Sequence, residues 1–194
     1  MNQQGPSELD LIEWIRRSDQ KIPSSVIRHI GDDCTVFHPS LSSSTMVTTD
    51  ALLEDVHFRR RWISAYFLGK KSLLVNLSDL SAMGCHPYGC LLSLALPPSL
   101  TGDYFRGFME GFFEASQYGS LPLLGGNLAR SEKIIINVTA WGFSSLKRKA
   151  VLRSGAKNGD FLVVVGDLGL SRLGLEILRQ EDPPSLWQVS DEEA

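Results

Sequence analysis

The sequence predicts an α+β fold: a sheet with two helices on one face, followed by the beginning of a second α/β domain. Three observations predict it. Short β-branched or apolar stretches alternate with two long segments of helical spacing. Each of those segments carries an apolar stripe, so each has a side to bury. A glycine-rich basic run from Lys147 to Gly159 then separates this pattern from a remainder too short to build its own core. The expected domains are residues 1–147 and 148–194.

In chain order, Ser7 and Asp10 form a helix-capping signal ahead of Leu11, Ile12, Trp14 and Ile15, which lie on one helical face. Ser25 to Ile30 and Thr35 to His38 read as short strands around the turn-prone Gly31-Asp32-Asp33. Beyond a Ser-rich loop, Thr45 to Asp50 is β-branched and strand-like. From Ser64 to Met83 the apolar residues Phe67, Leu73, Leu74, Leu77, Leu80 and Met83 recur at helical intervals. Cys90 to Leu96 reads as a strand stopped by Pro97-Pro98. Asp103 to Tyr118 is a second amphipathic helix with a phenylalanine-rich face. Leu121 to Leu124 and Lys133 to Phe143 are further strands. After the boundary, Phe161 to Val165 reads as a buried strand and Ser171 to Gln180 as a helix.

Composition narrows the class. Apolar residues make up 43% and charged residues 21%, the balance of a globular chain rather than a disordered one. A formal charge of −3 argues against a nucleic-acid partner. Apolar runs fall far short of the ~20 residues that span a bilayer, so no membrane partner is expected. Met1 to Asp10 lacks the basic and apolar regions of a secretory signal, and the three cysteines cannot all pair within one chain. The expectation is a cytoplasmic, reduced protein, in which Asn76-Leu-Ser78 and Asn137-Val-Thr139 match the glycosylation pattern by chance.

Five places could carry chemistry. Gly31-Asp32-Asp33 offers adjacent carboxylates to a hard cation, or is a turn with solvated acids. Thr48-Thr49-Asp50 ends a strand whose alternation puts Thr48 and Asp50 on one face, suited to magnesium, with His57 a candidate hydrogen-bond donor to phosphate or orienting group. The alternative is a plain strand and a surface histidine. Ser72, Asn76 and Asp79 share one stripe of an otherwise apolar helix. A carboxylate bordering a buried face needs compensation, which a metal ion would supply, unless it faces water. Gly125-Gly126-Asn127, with Arg130 behind, lets backbone N–H groups approach a phosphate, or is a glycine turn between strands. Arg153 to Asp160 is basic and glycine-rich, a phosphate contact or a charged linker. Arg59-Arg60-Arg61 reads as a solvated basic patch. The P-loop, dinucleotide and nucleophile-elbow glycine patterns are absent, and Cys85, His86 and Cys90 lack a partner pair at zinc-finger spacing.

In combination, Gly31-Asp-Asp-Cys34, Thr48 to Phe58, Asn76 to Gly84 and Arg153 to Asp160 resemble the thiamine-monophosphate kinase family, within the aminoimidazole-ribonucleotide-synthetase-like ATP-binding group. The likeness runs in order from about Leu9 to Leu178. It implies phosphorylation of thiamine monophosphate by ATP, with Asp33, Thr48, Thr49, Asp50 and Asp79 holding several Mg2+ ions. It implies that His57 contacts thiamine monophosphate, that Gly125, Gly126, Asn127 and Arg153 bind ATP, and that two sheets pair in a homodimer. The family places a magnesium-ligating aspartate after its paired glycines, where this sequence has Asn127. Asn127 keeps a carbonyl oxygen but removes a charge, which implies weaker metal binding. Two later family segments that complete the metal and thiamine sites do not occur in this sequence. The resemblance thus implies an N-terminal part of the family's length. Its alternatives are an inactive or truncated dimeric binding protein, or another ATP-using enzyme of the larger group.

Overall fold

The computed structural model describes residues 7–28, 36–37, 45–144 and 150–180. They form two compact units, divided between Arg153 and Ser154. Gly31-Asp32-Asp33 lies outside the described residues, as do the side chain of Arg153 and residues 145–149.

The first unit opens with helix α1 (Glu8–Arg16), where the Ser7 side chain and Asp10 close the expected capping box. Strands β1 (Val26–Arg28) and β2 (Val36–Phe37) pair antiparallel in a small separate sheet. The main sheet contains β3 (Thr45–Leu53), β4 (His86–Leu96), β5 (Leu123–Arg130) and β6 (Ile135–Phe143). Its order is β3-β6-β4-β5, antiparallel except for the parallel β4–β5 pair. Between β3 and β4 runs helix α2 (Ala65–Ala82), capped by Ser64, and between β4 and β5 runs α3 (Asp103–Gly119). Both helices serve one face of the sheet, as expected.

Alternation along the strands builds that face. Met46 and Leu52 of β3, Cys90, Leu92, Leu94 and Leu96 of β4, and Ile136, Val138 and Ala140 of β6 are buried in one core. Leu68, Leu73 and Leu80 of α2 join it, as do Phe105, Phe108, Met109 and Phe112 of α3. Burying each phenylalanine contributes roughly 3 kcal/mol before conformational entropy is subtracted. The two helices meet at glycines. A Cβ on Gly69 would stand 1.9 Å from the Phe108 carbonyl oxygen, and one on Gly111 would stand 1.9 Å from that of Tyr66.

The opposite face of the sheet has no covering layer among the described residues of this unit. It presents Val47, Thr49 and Ala51 of β3, Ile135, Asn137 and Thr139 of β6, and Ser93 beside Asn127.

Two expectations change. Gly125 and Gly126 do not follow a strand but lie inside β5, which stays paired to β4 as far as Arg130. A Cβ on Gly126 would stand 1.8 Å from the Leu92 carbonyl oxygen, so close packing of the two backbones demands glycine there. In the second unit Phe161 to Val165 is not a buried strand: it has no strand pairing, and Phe161 and Leu162 are each 96% exposed. A strand needs a neighbour for its backbone N–H and C=O groups, and no other strand occurs among this unit's described residues. What does form there is helix α4 (Leu170–Arg179), with Arg172–Glu176 and Arg179–Glu176 ion pairs on its surface.

Candidate phosphate and metal site

The register of β3 sets the site. Thr48 and Asp50 stand opposite Ala140 and Val138 of β6, on the helix-bearing face, but at the edge strand where the core thins. One turn from its C-terminus, α2 places Asp79 alongside. The Thr48 hydroxyl donates to Asp79 Oδ2 at 2.8 Å, joining residues 31 positions apart. Asp50 and Asp79 then line a groove of about 560 Å3 with Phe67, Lys70, Lys71 and Ser78. Two carboxylates are thus balanced by two lysines, of which Lys70 also pairs with Glu114 at 2.6 Å.

Farther along the polar stripe of α2 the residues differ in role. Ser72 and Asn76 are fully buried, with the Ser72 hydroxyl donating to the Gly69 carbonyl and Asn76 Nδ2 to that of Ser72. Asp79 is exposed to the groove. Two carboxylates and a hydroxyl suit a hard cation such as magnesium, which takes oxygen ligands and keeps much of its shell for waters and substrate phosphates. Among the described residues no three His, Cys, Asp or Glu side chains cluster into a metal cage. The third expected carboxylate, Asp33, lies outside them.

Other expected site residues are elsewhere. Thr49 is on the open face, its hydroxyl within 3.2 Å of Asn137 Oδ1 and Thr139 Oγ1 and 3.1 Å of the Val138 carbonyl. Asn127 shares that face. The structure therefore gathers Thr48, Asp50 and Asp79, and sets Thr49 and Asn127 across the sheet from them. Lys70 and Lys71 were absent from the sequence expectations. The spacing Lys71, Val75, Asp79 is a helical stripe and could have indicated one of them.

His57 sits in the 54–64 connection from β3 to α2. Its Nδ1 accepts from the Leu53 backbone N–H at 3.1 Å, so the neutral ring carries its proton on Nε2. The neighbouring arginines are exposed, as expected of a solvated basic patch, but each also has a partner. Arg60 pairs with Glu54, a carboxylate only 7% exposed, while Arg59 and Arg61 flank Trp62 at 4.5 and 5.2 Å from its ring centre.

Comparison with known proteins places these features in a wider set. Residues 31–144 match the N-terminal domain of AIR synthase related proteins. The chain is 36% identical over 162 residues to the thiamine-monophosphate kinase of Bacillus subtilis, a match covering 83% of this chain and 50% of that protein. Among solved structures, thiamine monophosphate kinase from Aquifex aeolicus superposes with a TM-score of 0.67 at 39% identity, over 75% of this chain and 49% of that one. The structure of AaThiL complexed with AMPPCP and TMP superposes with a TM-score of 0.67 at 33% identity, over 95% and 56%. The chain spans about half the length of the curated relatives it matches.

Proposed function

Since the chain belongs to the family of AIR synthase related proteins through its N-terminal domain, we propose that it forms the nucleotide- and magnesium-binding part of an ATP-dependent kinase converting thiamine monophosphate to thiamine diphosphate. The observation that carries the proposal is the meeting of Thr48, Asp50 and Asp79 beside two lysines. The named relatives and the nucleotide-bearing structure supply the substrate classes.

The acceptor is a phosphate monoester whose second pKa is near ~6, so at neutral pH it is already largely ionised. No general base is required, and the difficulty is to bring two polyanions into line. Thr48, Asp50 and Asp79, with Asp33, would hold magnesium, which would supply positive charge to offset that of the phosphates. The Thr48 hydroxyl keeps the Asp79 carboxylate turned toward β3. Lys70 and Lys71 add positive charge along the groove. His57 offers its Nε2–H to the monophosphate, and Gly125, Gly126 and Arg153 serve ATP. We place the protein in the cytoplasm: Cys85 and Cys90 are buried free thiols, and burial pushes both pKa values up, keeping them unreactive. No helix among the described residues is long and apolar enough to cross a membrane.

Thiamine diphosphate formation from ATP, magnesium and thiamine monophosphate tests the reading. Turnover by this chain supports it. Tight MgATP binding without turnover would favour the dimeric binding protein, a reading that Asn127 also favours. Asn127 offers an amide oxygen where a carboxylate would add a charge, so Asn127→Asp is expected to tighten magnesium binding in calorimetric titration. An unchanged affinity restricts the ion set to the Thr48–Asp50–Asp79 side of the sheet.

The open face of the main sheet is the proposed homodimer surface. Val47 is 65% and Ile135 42% exposed there, amid alanine, threonine and asparagine. Val47→Glu would bury a charge in such an interface, so it is expected to convert a dimer to monomer in sedimentation velocity. A dimer unaffected by Val47→Glu would move the interface elsewhere.

A further inference from the structure

The connection that carries His57 is tied to the body of the first unit by the core side chain of Phe58 and by a buried carboxylate. Glu54 follows the last residue of β3. Its backbone N–H continues the ladder to the Ile134 carbonyl at 3.0 Å, and its Oε2 accepts from the Ile134 N–H at 2.9 Å. Its Oε1 accepts from Arg60 Nε, closing the loop on itself six residues later. Burial raises the pKa of the Tyr104 hydroxyl of α3, and the charges of Arg60, which lowers it, and of Glu54, which raises it, both reach that group.

Between these anchors the backbone is forced. Asp55 adopts φ 67°, a left-handed conformation costly for a residue with a Cβ. It is held there by its N–H to the Phe58 carbonyl at 2.7 Å and by an ion pair from its carboxylate to Lys133 at 2.9 Å. The His57 N–H reaches the Leu53 carbonyl at 2.9 Å, and its ring returns to the Leu53 N–H. A buried carboxylate is costly unless it is paired and hydrogen-bonded, and here each oxygen accepts a bond. A plain turn between a strand and a helix does not need such an arrangement.

We infer that Glu54, acting through Arg60, is the positioning residue that fixes the direction of the His57 imidazole. This rests on the reading in which His57 faces the phosphate acceptor, and it makes Glu54 a determinant of thiamine-monophosphate affinity rather than of ATP affinity.

The test is nitrogen-15 NMR of the imidazoles in the whole chain, with His57→Gln identifying the His57 signals. The wild-type chain is expected to show His57 as the Nε2–H tautomer. In Glu54→Gln the two ring nitrogens are expected to move toward tautomer-averaged shifts. Thiamine-monophosphate affinity is expected to fall about tenfold or more, with ATP affinity kept within about twofold. Should Glu54→Gln fail to fold, Arg60→Met carries the same readouts, since it removes a half-exposed partner and leaves the Glu54–Ile134 bond. A folded variant whose His57 signals match the wild type overturns the inference. If the wild-type chain binds no thiamine monophosphate, the proposed function falls, and the His57 spectrum still decides the role of Glu54.

Discussion

Replacing Gly111 with alanine is expected to destabilise the first unit by about 3 kcal/mol, the upper end for overpacking a closed interface. Helix propensity alone predicts the opposite sign, since alanine in a helix interior is favoured over glycine by about 1 kcal/mol. The contact decides. The new methyl would sit 1.9 Å from the Tyr66 carbonyl oxygen, and backbone cannot swing aside as a side chain can. The helices α2 and α3 must separate, loosening the phenylalanines of α3 that fill the core. Gly69→Ala meets the Phe108 carbonyl in the same way from the other helix and is expected to cost a similar amount. Gly107 is the control within α3. Its added methyl would lie 3.6 Å from the Ala65 Cβ, an ordinary contact, so Gly107→Ala should be neutral or stabilise by up to about 1 kcal/mol. Urea unfolding followed by circular dichroism reads all three. Equal midpoints for Gly107→Ala and Gly111→Ala would show that the helices are not held at this separation.

The second large effect is at the groove. Asp50→Asn and Asp79→Asn are each expected to reduce magnesium-dependent turnover by about 10²- to 10³-fold, the range for loss of one preorganised charge in a transition-state site. MgATP affinity should fall with it. Asparagine keeps the shape and an acceptor oxygen, so the Thr48 hydrogen bond to position 79 survives and stability should change little. The loss would therefore belong to the charge. Asp103, a fully exposed carboxylate at the start of α3, is the control, and Asp103→Asn should leave both turnover and MgATP affinity unchanged. An Asp79→Asn chain that binds MgATP like the wild type would remove Asp79 from the ion set and with it the strongest support for the proposed function.

Much of this was legible in the residues, and the reasons for the exceptions are physical. Ser7 announced its helix because capping is a contact across three residues. Alternation put Thr48 and Asp50 on one face because a strand has a period of two whatever it pairs with. Periodicity stops at the boundary of an element. It could not tell that β6 would insert between β3 and β4, nor that the β4–β5 pairing would continue through Gly125 and Gly126. Phe161 to Val165 had the composition of a buried strand, and composition alone cannot supply a pairing partner. Arg60 looked like its neighbours Arg59 and Arg61, since charge is visible in a sequence and the carboxylate that meets it is not.

By itself the sequence determined the helices, the strand faces and the chemical types at the site, because these depend on contacts a few residues apart. Only the tertiary structure decided that Asp79 meets Thr48, that Thr49 and Asn127 fall on the other face, and that Glu54 is buried against Ile134 and Arg60. Those pairings join segments up to 80 positions apart, and their geometry follows from sheet order and helix separation, which are properties of the packed core rather than of any local stretch.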